Sequence, residues 1–261
     1  MYFEVGEYRL AITMPRRAGL MAEVAERLAR GEGFALATVN LDHLVKLRQS
    51  AAFRRAYDAQ DLVVADGNPL VWLSKLAGDP VELIPGADMV VPLAELAAAQ
   101  GVPVALVGST EAALQGAAEA LCARVPGLQV AARIAPPMGF EPAGPGGAAV
   151  LREVAASGAR LAFLALGAPK QEVLAARGRE IAPGVGFASI GAGLDFLAGA
   201  QQRAPKIVRS LALEWLWRML SNPRRLVARY ALCAAILPGH ALTALRHRRG
   251  PSLRPGSSGS R

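Results

Sequence analysis

The sequence predicts an α/β fold in which a mainly parallel, Rossmann-like sheet is flanked by helices and followed by a helical C-terminal appendage. Short apolar runs of strand length alternate with longer segments at helical spacing, which is typical of parallel sheets with right-handed crossovers. Most of these runs end in glycine or another turn-forming residue, as expected of strands that lead into loops. Basic residues are concentrated after residue 202. We therefore expect an α/β domain over 1–202, a basic helical appendage over 203–249 and a disordered tail over 250–261.

The individual elements follow from these patterns in chain order. After a short strand-like start over 2–12, strands are predicted at 34–39, 62–65, 102–107, 128–134, 161–166 and 187–190, of which 62–65 and 102–107 should be buried. Helical spacing predicts a helix that begins near Pro169, and others at 20–29, 41–56, 70–76, 88–100, 110–123 and 150–156. Ser109 is expected to cap the helix over 110–123. The proline- and glycine-rich segment over 135–147 is incompatible with regular structure and is a candidate active-site loop.

The stretch over 61–72 carries the most informative carboxylate. Its apolar run ends abruptly in Asp66-Gly67-Asn68-Pro69, after which helical spacing resumes. Asp66 is therefore predicted at the carboxyl end of a central strand, where open α/β sheets bind their ligands. From this stretch alone, an equally good interpretation is that Asp66 only caps the next helix, because Asp is a favoured N-cap residue.

Other small and polar residues follow the remaining strands and should gather at the same edge of the sheet. Small residues let a ligand approach the backbone, and helices that begin after a glycine turn offer free N–H groups to phosphate. The expected set is Thr38, Asn40, Asp66, Gly108, Ser109, Gly167, Lys170, Gln171, Gly191, Gly193 and Asp195, with Arg203 as a further cation. This set favours an anionic, nucleotide-containing ligand over a purely structural role.

Several cofactor motifs are absent from the sequence. It contains no GxGxxG in a strand-turn-helix context, no GxxxxGK[ST] and no Asp-x-Asp. These absences argue against a dinucleotide-binding Rossmann enzyme, a P-loop protein and a metal-dependent sugar-nucleotide site, so no metal or other cofactor is expected. His43 follows Asn40 near a predicted helix start, where a packed or capping role is favoured over a catalytic one.

Composition and charge narrow the class of protein. Apolar residues make up 52% of the sequence, and the two cysteines, Cys122 and Cys233, lack CxxC spacing. Neither a disulfide framework nor a zinc site is expected, and an intracellular setting fits better. No secretory signal is visible at the N-terminus. The formal charge of +8 belongs to the C-terminal segment, since Arg203 onward contains twelve Lys and Arg and one acid, Glu214. A basic tail suggests an anionic partner, either a membrane surface or nucleic acid.

The appendage mixes aromatic, apolar and basic residues. Over 206–230, Trp, Leu and Met alternate with arginines at helical spacing, and the apolar segment over 231–244 is interrupted by Pro238. Such a segment is too short to span a bilayer, which needs ~20 apolar residues. The sequence therefore predicts an interfacial anchor on anionic lipid. The alternative is that Trp215, Leu216 and Met219 simply pack on the body.

Taken together, the strand-end segments resemble the WecG/TagA/CpsF glycosyltransferases. The resemblance runs in order from about residue 34 to 230, through TVNLDHL (38–44), ADGNPLVW (65–72), PGADMV (85–90), LGAPKQE (166–172), GAGLDFLAG (191–199), RAP (203–205) and LEWLWRMLSNPRRLVARY (213–230). It implies the GT-E type of α/β fold, which differs from the two commonest glycosyltransferase folds. It also implies a C-terminal appendage that contacts the membrane, with the enzyme held peripherally on the cytoplasmic face of the bacterial inner membrane.

The activity that the resemblance implies is an inverting sugar transfer without a required metal. A hexose or N-acetylhexosamine-type sugar would pass from a UDP-sugar to a polyprenyl (undecaprenyl)-diphosphate-linked sugar, in bacterial exopolysaccharide or cell-surface polysaccharide synthesis. By resemblance, Asp66 matches the proposed catalytic base and Asp195 a position associated with the uracil base. The other matched or predicted substrate-binding residues are Thr38, Asn40, Gly108, Gly139, Gly167, Lys170, Gln171, Arg203, Arg218, Arg224, Arg225 and Arg229. Without a metal, arginines are the natural partners of a departing UDP diphosphate.

One residue departs from the family pattern. The family usually has an arginine where this sequence has Leu83. Either another arginine, such as Arg203 or one from the appendage, takes its place, or the donor sugar differs. Two other functions stay open: a Rossmann-like nucleotide-dependent oxidoreductase, and a non-enzymatic protein whose basic tail binds an anionic ligand. No nucleic-acid reader motif is recognisable, so no nucleic-acid partner is expected, and homo-oligomerisation stays open.

Overall fold

The computed structural model describes residues 1–201, 205, 208, 214–221 and 223–249, and its architecture is the predicted α/β one. The first two strands, β1 (Tyr2–Val5) and β2 (Tyr8–Ala11), form an antiparallel hairpin. The other strands are β3 (Phe34–Val39), β4 (Leu62–Ala65), β5 (Val104–Gly108), β6 (Val130–Ile134), β7 (Leu161–Ala165) and β8 (Gly186–Ser189). They form one parallel sheet in the order β4-β3-β8-β7-β5-β6.

Helices cover both faces of this sheet. In chain order they are α1 (Arg17–Arg30), α2 (Leu41–Gln49), α3 (Ala51–Asp58), α4 (Asn68–Ala77), α5 (Gly86–Ala99), α6 (Glu111–Arg124), α7 (Pro145–Ala156), α8 (Lys170–Ile181), α9 (Gly193–Leu197), α10 (Glu214–Ser221) and α11 (Pro223–Arg249). Helices α1, α5, α6 and α9 pack on one face, with Leu36 of β3. Helices α2, α3, α4, α7, α8 and part of α11 pack on the other, with Ala35 and Ala37. Because neighbouring residues of a strand point to opposite faces, the continuous apolar run of β3 is buried on both.

Adjacent strands send the chain to opposite faces at their carboxyl ends. β3 is followed by α2 on one face, whereas its neighbour β8 is followed by α9 on the other. Such a reversal leaves a crevice outside the strand ends, and open α/β sheets bind their ligands there. The fold therefore places the predicted strand-end residues around a crevice.

Three predicted helix boundaries are wrong. The helix over 41–56 is two helices, because Ser50 is extended and its side chain accepts a hydrogen bond from the N–H of Phe53 to cap α3. Thr110 caps α6 by accepting from the N–H of Ala113, whereas Ser109 lies before the cap at a positive φ of 52°. Helix α7 begins at Pro145 rather than near 150, since proline fits the first turn of a helix. The loop after β6 is therefore shorter than predicted.

The C-terminal helix α11 continues through Pro238, so the predicted interruption of its apolar segment is wrong. A proline inside a helix destabilises it by about 3 kcal/mol, and the packing of Cys233, Ile236 and Leu237 on the body offsets this. Among the helices that the structure describes, the segment Leu226–Arg248 is long and apolar enough to cross a membrane by length and composition. One such helix is weak evidence for membrane association, but the argument that the segment is too short no longer holds.

Candidate active site

The carboxyl ends of β3, β4 and β8 bring the predicted residues close together. The N–H of Asp66 donates to the carbonyl of Val39 at 2.7 Å, which keeps the end of β4 beside the end of β3. Gly86, the first residue of α5, packs against the same edge: a Cβ added there would lie 3.1 Å from both Thr38 Cγ2 and Ile190 Cα. Asp66, Thr38 and the start of α5 therefore border one space.

Asp66 is not the N-cap residue of the helix that follows it. Gly67 holds that position, at a φ of 144° that favours glycine. A Cβ added to Gly67 would lie 3.4 Å from the Cβ of Asn40, so the Asp66 turn stands directly beside Asn40. Gly67 rather than Asp66 is therefore the N-cap residue, and the placement of Asp66 at a strand end is confirmed. The prediction of a central strand is wrong, because β4 is an edge strand, and an apolar run buried on both faces does not fix the position of a strand in the sheet.

Asn40 and His43 cap α2 reciprocally. The side-chain oxygen of Asn40 accepts from the N–H of His43 at 3.3 Å, and His43 Nδ1 accepts from the N–H of Asn40 at 3.1 Å. His43 is buried, and burial lowers its pKa to about 3 because the charged ring loses hydration. His43 is thus a neutral capping residue, as the sequence favours, and its Nε2 carries the proton.

Gln171 holds the loop after β8 in place. Its Oε1 accepts from the N–H of Gly191 at 3.2 Å, while its Nε2 donates to Glu172 Oε1 at 2.9 Å. Glu172 therefore fixes which way the amide of Gln171 points. In this arrangement the buried side chain of Gln171 positions the Gly191–Asp195 turn.

Asp195 lies on α9, the helix that follows β8, and contacts the end of β5. Ser109 Oγ donates to Asp195 Oδ1, and Gln201 Nε2 donates to Oδ2 at 2.8 Å. Ser109 thus orients a predicted ligand-binding carboxylate instead of capping α6. Gly108, the residue before Ser109, approaches β7 so closely that an added Cβ would lie 2.4 Å from the carbonyl oxygen of Ala165. Only glycine fits at this position, so the end of β5 has no side chain there.

The loop after β6 is tied to the start of α8. Lys170 Nζ donates to the carbonyl of Phe140 at 2.7 Å, next to the predicted Gly139. Arg177 donates to the carbonyls of Pro142 and Gly144 at 2.6 and 2.7 Å. The loop therefore stands beside Gln171, as its prediction as an active-site loop requires. The ammonium group of Lys170 is therefore already hydrogen-bonded to this loop.

The structure describes the predicted arginines to three different extents. Arg203 lies outside the described residues, and of Arg218, Arg224 and Arg225 only the backbone is described, in α10 and α11. Arg229 is placed, and its Nε lies 2.9 Å from Asp42 Oδ1. The pairing makes Arg229 a contact between α11 and α2, a role that the sequence did not suggest.

Sequence reasoning missed three charged residues. Asp42, Lys46 and Glu172 lie next to predicted site residues, yet only the Asp42–Lys46 spacing of four residues on a helix hinted at an interaction. Glu172 is fully buried and its Oε2 has no hydrogen-bond partner within the described part of the chain. Within those same ranges, no three His, Cys, Asp or Glu side chains are grouped so that they could hold a metal ion.

One surface concavity lies far from this edge. It is lined by Val102, Pro103 and Arg160, together with Leu28, Ala29, Gln100 and Gly101. Val102 and Pro103 precede β5 and Arg160 precedes β7, so the concavity opens at the amino edge of the sheet. The chemistry of the strand ends is at the opposite edge, and we assign the site there.

Glu172 should make the stability of the protein depend on pH. Burial raises its pKa from 4.5 to about 7, so the folded protein holds this proton more tightly than the unfolded chain does. Stability is then fully present below about pH 4.5 and is lost as the pH rises towards 7. Glu172→Gln mimics the protonated form, so its stability relative to the parent should grow from pH 5 to pH 8, by on the order of 1–3 kcal/mol.

Urea unfolding at several pH values measures this difference. Glu153 is exposed on α7, and Glu153→Gln provides a control that should show no such trend. A constant difference between Glu172→Gln and the parent from pH 5 to pH 8 would contradict the assignment.

The chain matches a known protein family over nearly its whole length. The model of the family described as Glycosyl transferase WecG/TagA/CpsF matches residues 7–252. The match covers every strand of the parallel sheet, all the strand-end residues and α11.

Proposed function

The chain belongs to the WecG/TagA/CpsF glycosyltransferase family, and from that premise we propose that it moves a sugar from a UDP-sugar to a polyprenyl-diphosphate-linked sugar. The family makes it a glycosyltransferase of cell-surface polysaccharide synthesis. We propose further that the donor sugar is of the hexose or N-acetylhexosamine type, that the carrier is undecaprenyl diphosphate, and that transfer proceeds with inversion and without a metal.

The observation that carries the proposal is the position of Asp66. It stands at the end of β4, beside Asn40 and near Thr38, next to the crevice left where β3 and β8 lead to helices on opposite faces of the sheet. In an inverting transfer, the acceptor hydroxyl oxygen bonds to the anomeric carbon while the bond from that carbon to the UDP oxygen breaks. The hydroxyl proton passes to Asp66 as general base, and UDP leaves with the bonding electrons.

The donor would lie along the strand ends of β5, β7 and β8. Bare backbone at Gly108 and Gly167 lets the nucleotide approach closely. Asp195, held by Ser109 and Gln201, would accept the ring N–H of uracil. Gln171 and Lys170 would border the diphosphate and the sugar from the start of α8, the end of the helix that favours anions.

The leaving diphosphate requires cations, and the carboxyl edge of the sheet carries few of them. Arg218, Arg224 and Arg225, with Arg203, are the proposed source, since guanidinium groups bind phosphate bidentately. We propose that one of them also takes the place of the family arginine at Leu83. The side chain of Leu83 is 40% exposed, and the N–H of the next residue, Ile84, donates to the carbonyl of Ala65 beside Asp66.

We propose that the appendage holds the enzyme on the cytoplasmic face of the inner membrane. Large apolar side chains are exposed on α4, α10 and α11, namely Trp72, Trp215, Trp217, Leu220, Val227, Leu232, Leu242 and Leu245. Because α11 packs along α2 and α4, it lies on the body rather than apart from it. Exposed tryptophans beside basic residues suit the interface of an anionic bilayer.

Release of UDP tests the proposed reaction. A panel of UDP-sugars is supplied with an undecaprenyl-diphosphate-linked sugar in mixed micelles, and one donor should give UDP release that depends on both acceptor and enzyme. Stabilisation of the protein by NAD(P) but not by UDP would instead support the oxidoreductase. Salt-sensitive binding to DNA or RNA but not to anionic liposomes would support the nucleic-acid alternative.

A further inference from the structure

Asp42 lies at the meeting point of three elements. It is buried on the first turn of α2, two residues after Asn40, and it contacts α11 directly and the turn after β7 through Lys46. Its Oδ1 lies 2.9 Å from Arg229 Nε of α11, and its Oδ2 lies 2.9 Å from Lys46 Nζ of its own helix. One carboxylate therefore balances two cations that come from different parts of the chain.

The second of these cations reaches the candidate active site. Lys46 Nζ also donates to the carbonyl oxygen of Ala168 at 3.1 Å. Ala168 belongs to the turn that connects β7 to α8 and lies between Gly167 and Gln171. The contacts thus form a continuous chain of charges from Arg229 on the appendage, through Asp42 and Lys46, to the backbone of this turn.

We propose that Asp42 is a positioning residue that couples the seating of α11 on the body to the placement of the turn after β7. When α11 is seated, Arg229 neutralises part of the charge on Asp42, so Lys46 divides its interaction between Asp42 and Ala168. When α11 leaves, Lys46 is the remaining cation of Asp42 and is attracted to it more strongly, so the hold of Lys46 on the turn weakens. By linkage, a ligand that fixes the turn must stabilise the seated α11 by the same free energy by which the seating of α11 strengthens the binding of that ligand.

Apolar packing places the same elements together. Leu41 and Val45 of α2, Ala168 of the turn and Cys233 of α11 belong to one apolar cluster. Removal of α11 would therefore uncover the cluster that supports α2 and the turn. The contacts of Asp42 fix the position of α11 along α2, because a buried carboxylate is stable only when its charged partners lie close to it.

Cys233 provides a probe of this seating that needs no substrate. It is buried on α11, and the other cysteine of the chain, Cys122, is exposed. In a Cys122→Ser background, the rate at which a maleimide labels Cys233 reports how often α11 leaves the body. Asp42→Asn and Arg229→Gln should each raise that rate roughly tenfold, as expected for loss of a partly buried ion pair.

The double variant distinguishes a shared contact from two unrelated effects. Asp42→Asn with Arg229→Gln should label no faster than the faster single variant, because the same interaction is lost only once. Arg229→Lys should label at a rate near that of the parent. Arg246→Gln, which removes an exposed charge from the same helix, controls for the loss of charge. Rates near the parent in both single variants, or additive effects in the double variant, would overturn the contact.

The coupling to the site is tested with UDP, and this arm rests on the proposed function. UDP should slow the labelling of Cys233 more in the parent than in Lys46→Met, which breaks the link to Ala168 while leaving Asp42, Arg229 and the proposed phosphate-binding arginines in place. Equal slowing in both proteins would overturn the link through Lys46. Binding of UDP without any slowing would overturn the coupling. If UDP does not bind at all, the proposed function fails, while the labelling of the single and double variants still decides the contact.

Local undocking must be separated from global unfolding. Hydrogen exchange in β3 and β8 should be the same in all these variants as in the parent, because both strands lie in the core of the sheet. Faster exchange in these strands, in step with the labelling of Cys233, would show that the variants merely destabilise the fold and would overturn the proposal.

Discussion

Asp66→Asn should lower the rate of sugar transfer by roughly 10²–10⁴-fold, the usual contribution of a positioned general base. Asparagine has nearly the same shape as aspartate but cannot take up the proton of the acceptor hydroxyl. The hydrogen bond from the backbone N–H of residue 66 to the carbonyl of Val39 does not involve the side chain and should persist. The loss should therefore appear in kcat, with little change in the KM for the UDP-sugar.

Asp195→Asn provides the matched control, because it removes a carboxylate from the same edge of the sheet. Its proposed role is to bind the uracil ring, so the variant should raise the KM for the donor and affect kcat less. The single-turnover rate with a lipid-linked acceptor separates the two effects. Near-native turnover of Asp66→Asn, or equal losses of kcat in both variants, would remove Asp66 from the role of base.

The strands of the sheet could be predicted from sequence because each one is marked by a pattern within its own few residues. β3 and β4 are continuous apolar runs that end in turn residues, and their predicted bounds, 34–39 and 62–65, are those of the structure. The helix errors come from features that depend on single contacts. Whether Ser50 breaks a helix, or Pro238 does, is decided by capping and by tertiary packing, and neither is visible in periodicity.

The sequence predicted which edge of the sheet carries the candidate site, but not which side chains contact each other there. The prediction that Asp66, Asn40 and Asp195 follow strand ends at one edge of the sheet agrees with their positions in the structure. Several contacts around them join residues that are far apart in the chain: Ser109 is 86 residues from Asp195, and Lys46 is 122 residues from Ala168. Such pairs follow from topology, and a single sequence gives no spacing from which to read them.

Removal of residues 206–261 should abolish transfer. The truncated chain loses the proposed phosphate-binding arginines of α10 and α11, and a single such cation contributes on the order of 10³-fold to phosphoryl chemistry. It also leaves Asp42 without Arg229 and uncovers the apolar cluster around Leu41 and Val45. We therefore expect no measurable UDP release with a lipid-linked acceptor, and a loss of binding to anionic liposomes measured by sedimentation.

Two further variants show which of these losses matters. Truncation after residue 249 removes only the Gly-, Ser- and Pro-rich tail and should leave transfer unchanged. A full-length triple variant, Arg218→Gln with Arg224→Gln and Arg225→Gln, keeps α11 and its contact between Arg229 and Asp42. It should lose transfer while Cys233 stays protected from labelling. If the triple variant transfers sugar normally and the deletion does not, the appendage acts through seating and membrane contact alone. The cations for the leaving diphosphate must then come from the body, where Lys170 is already placed at the turn after β7.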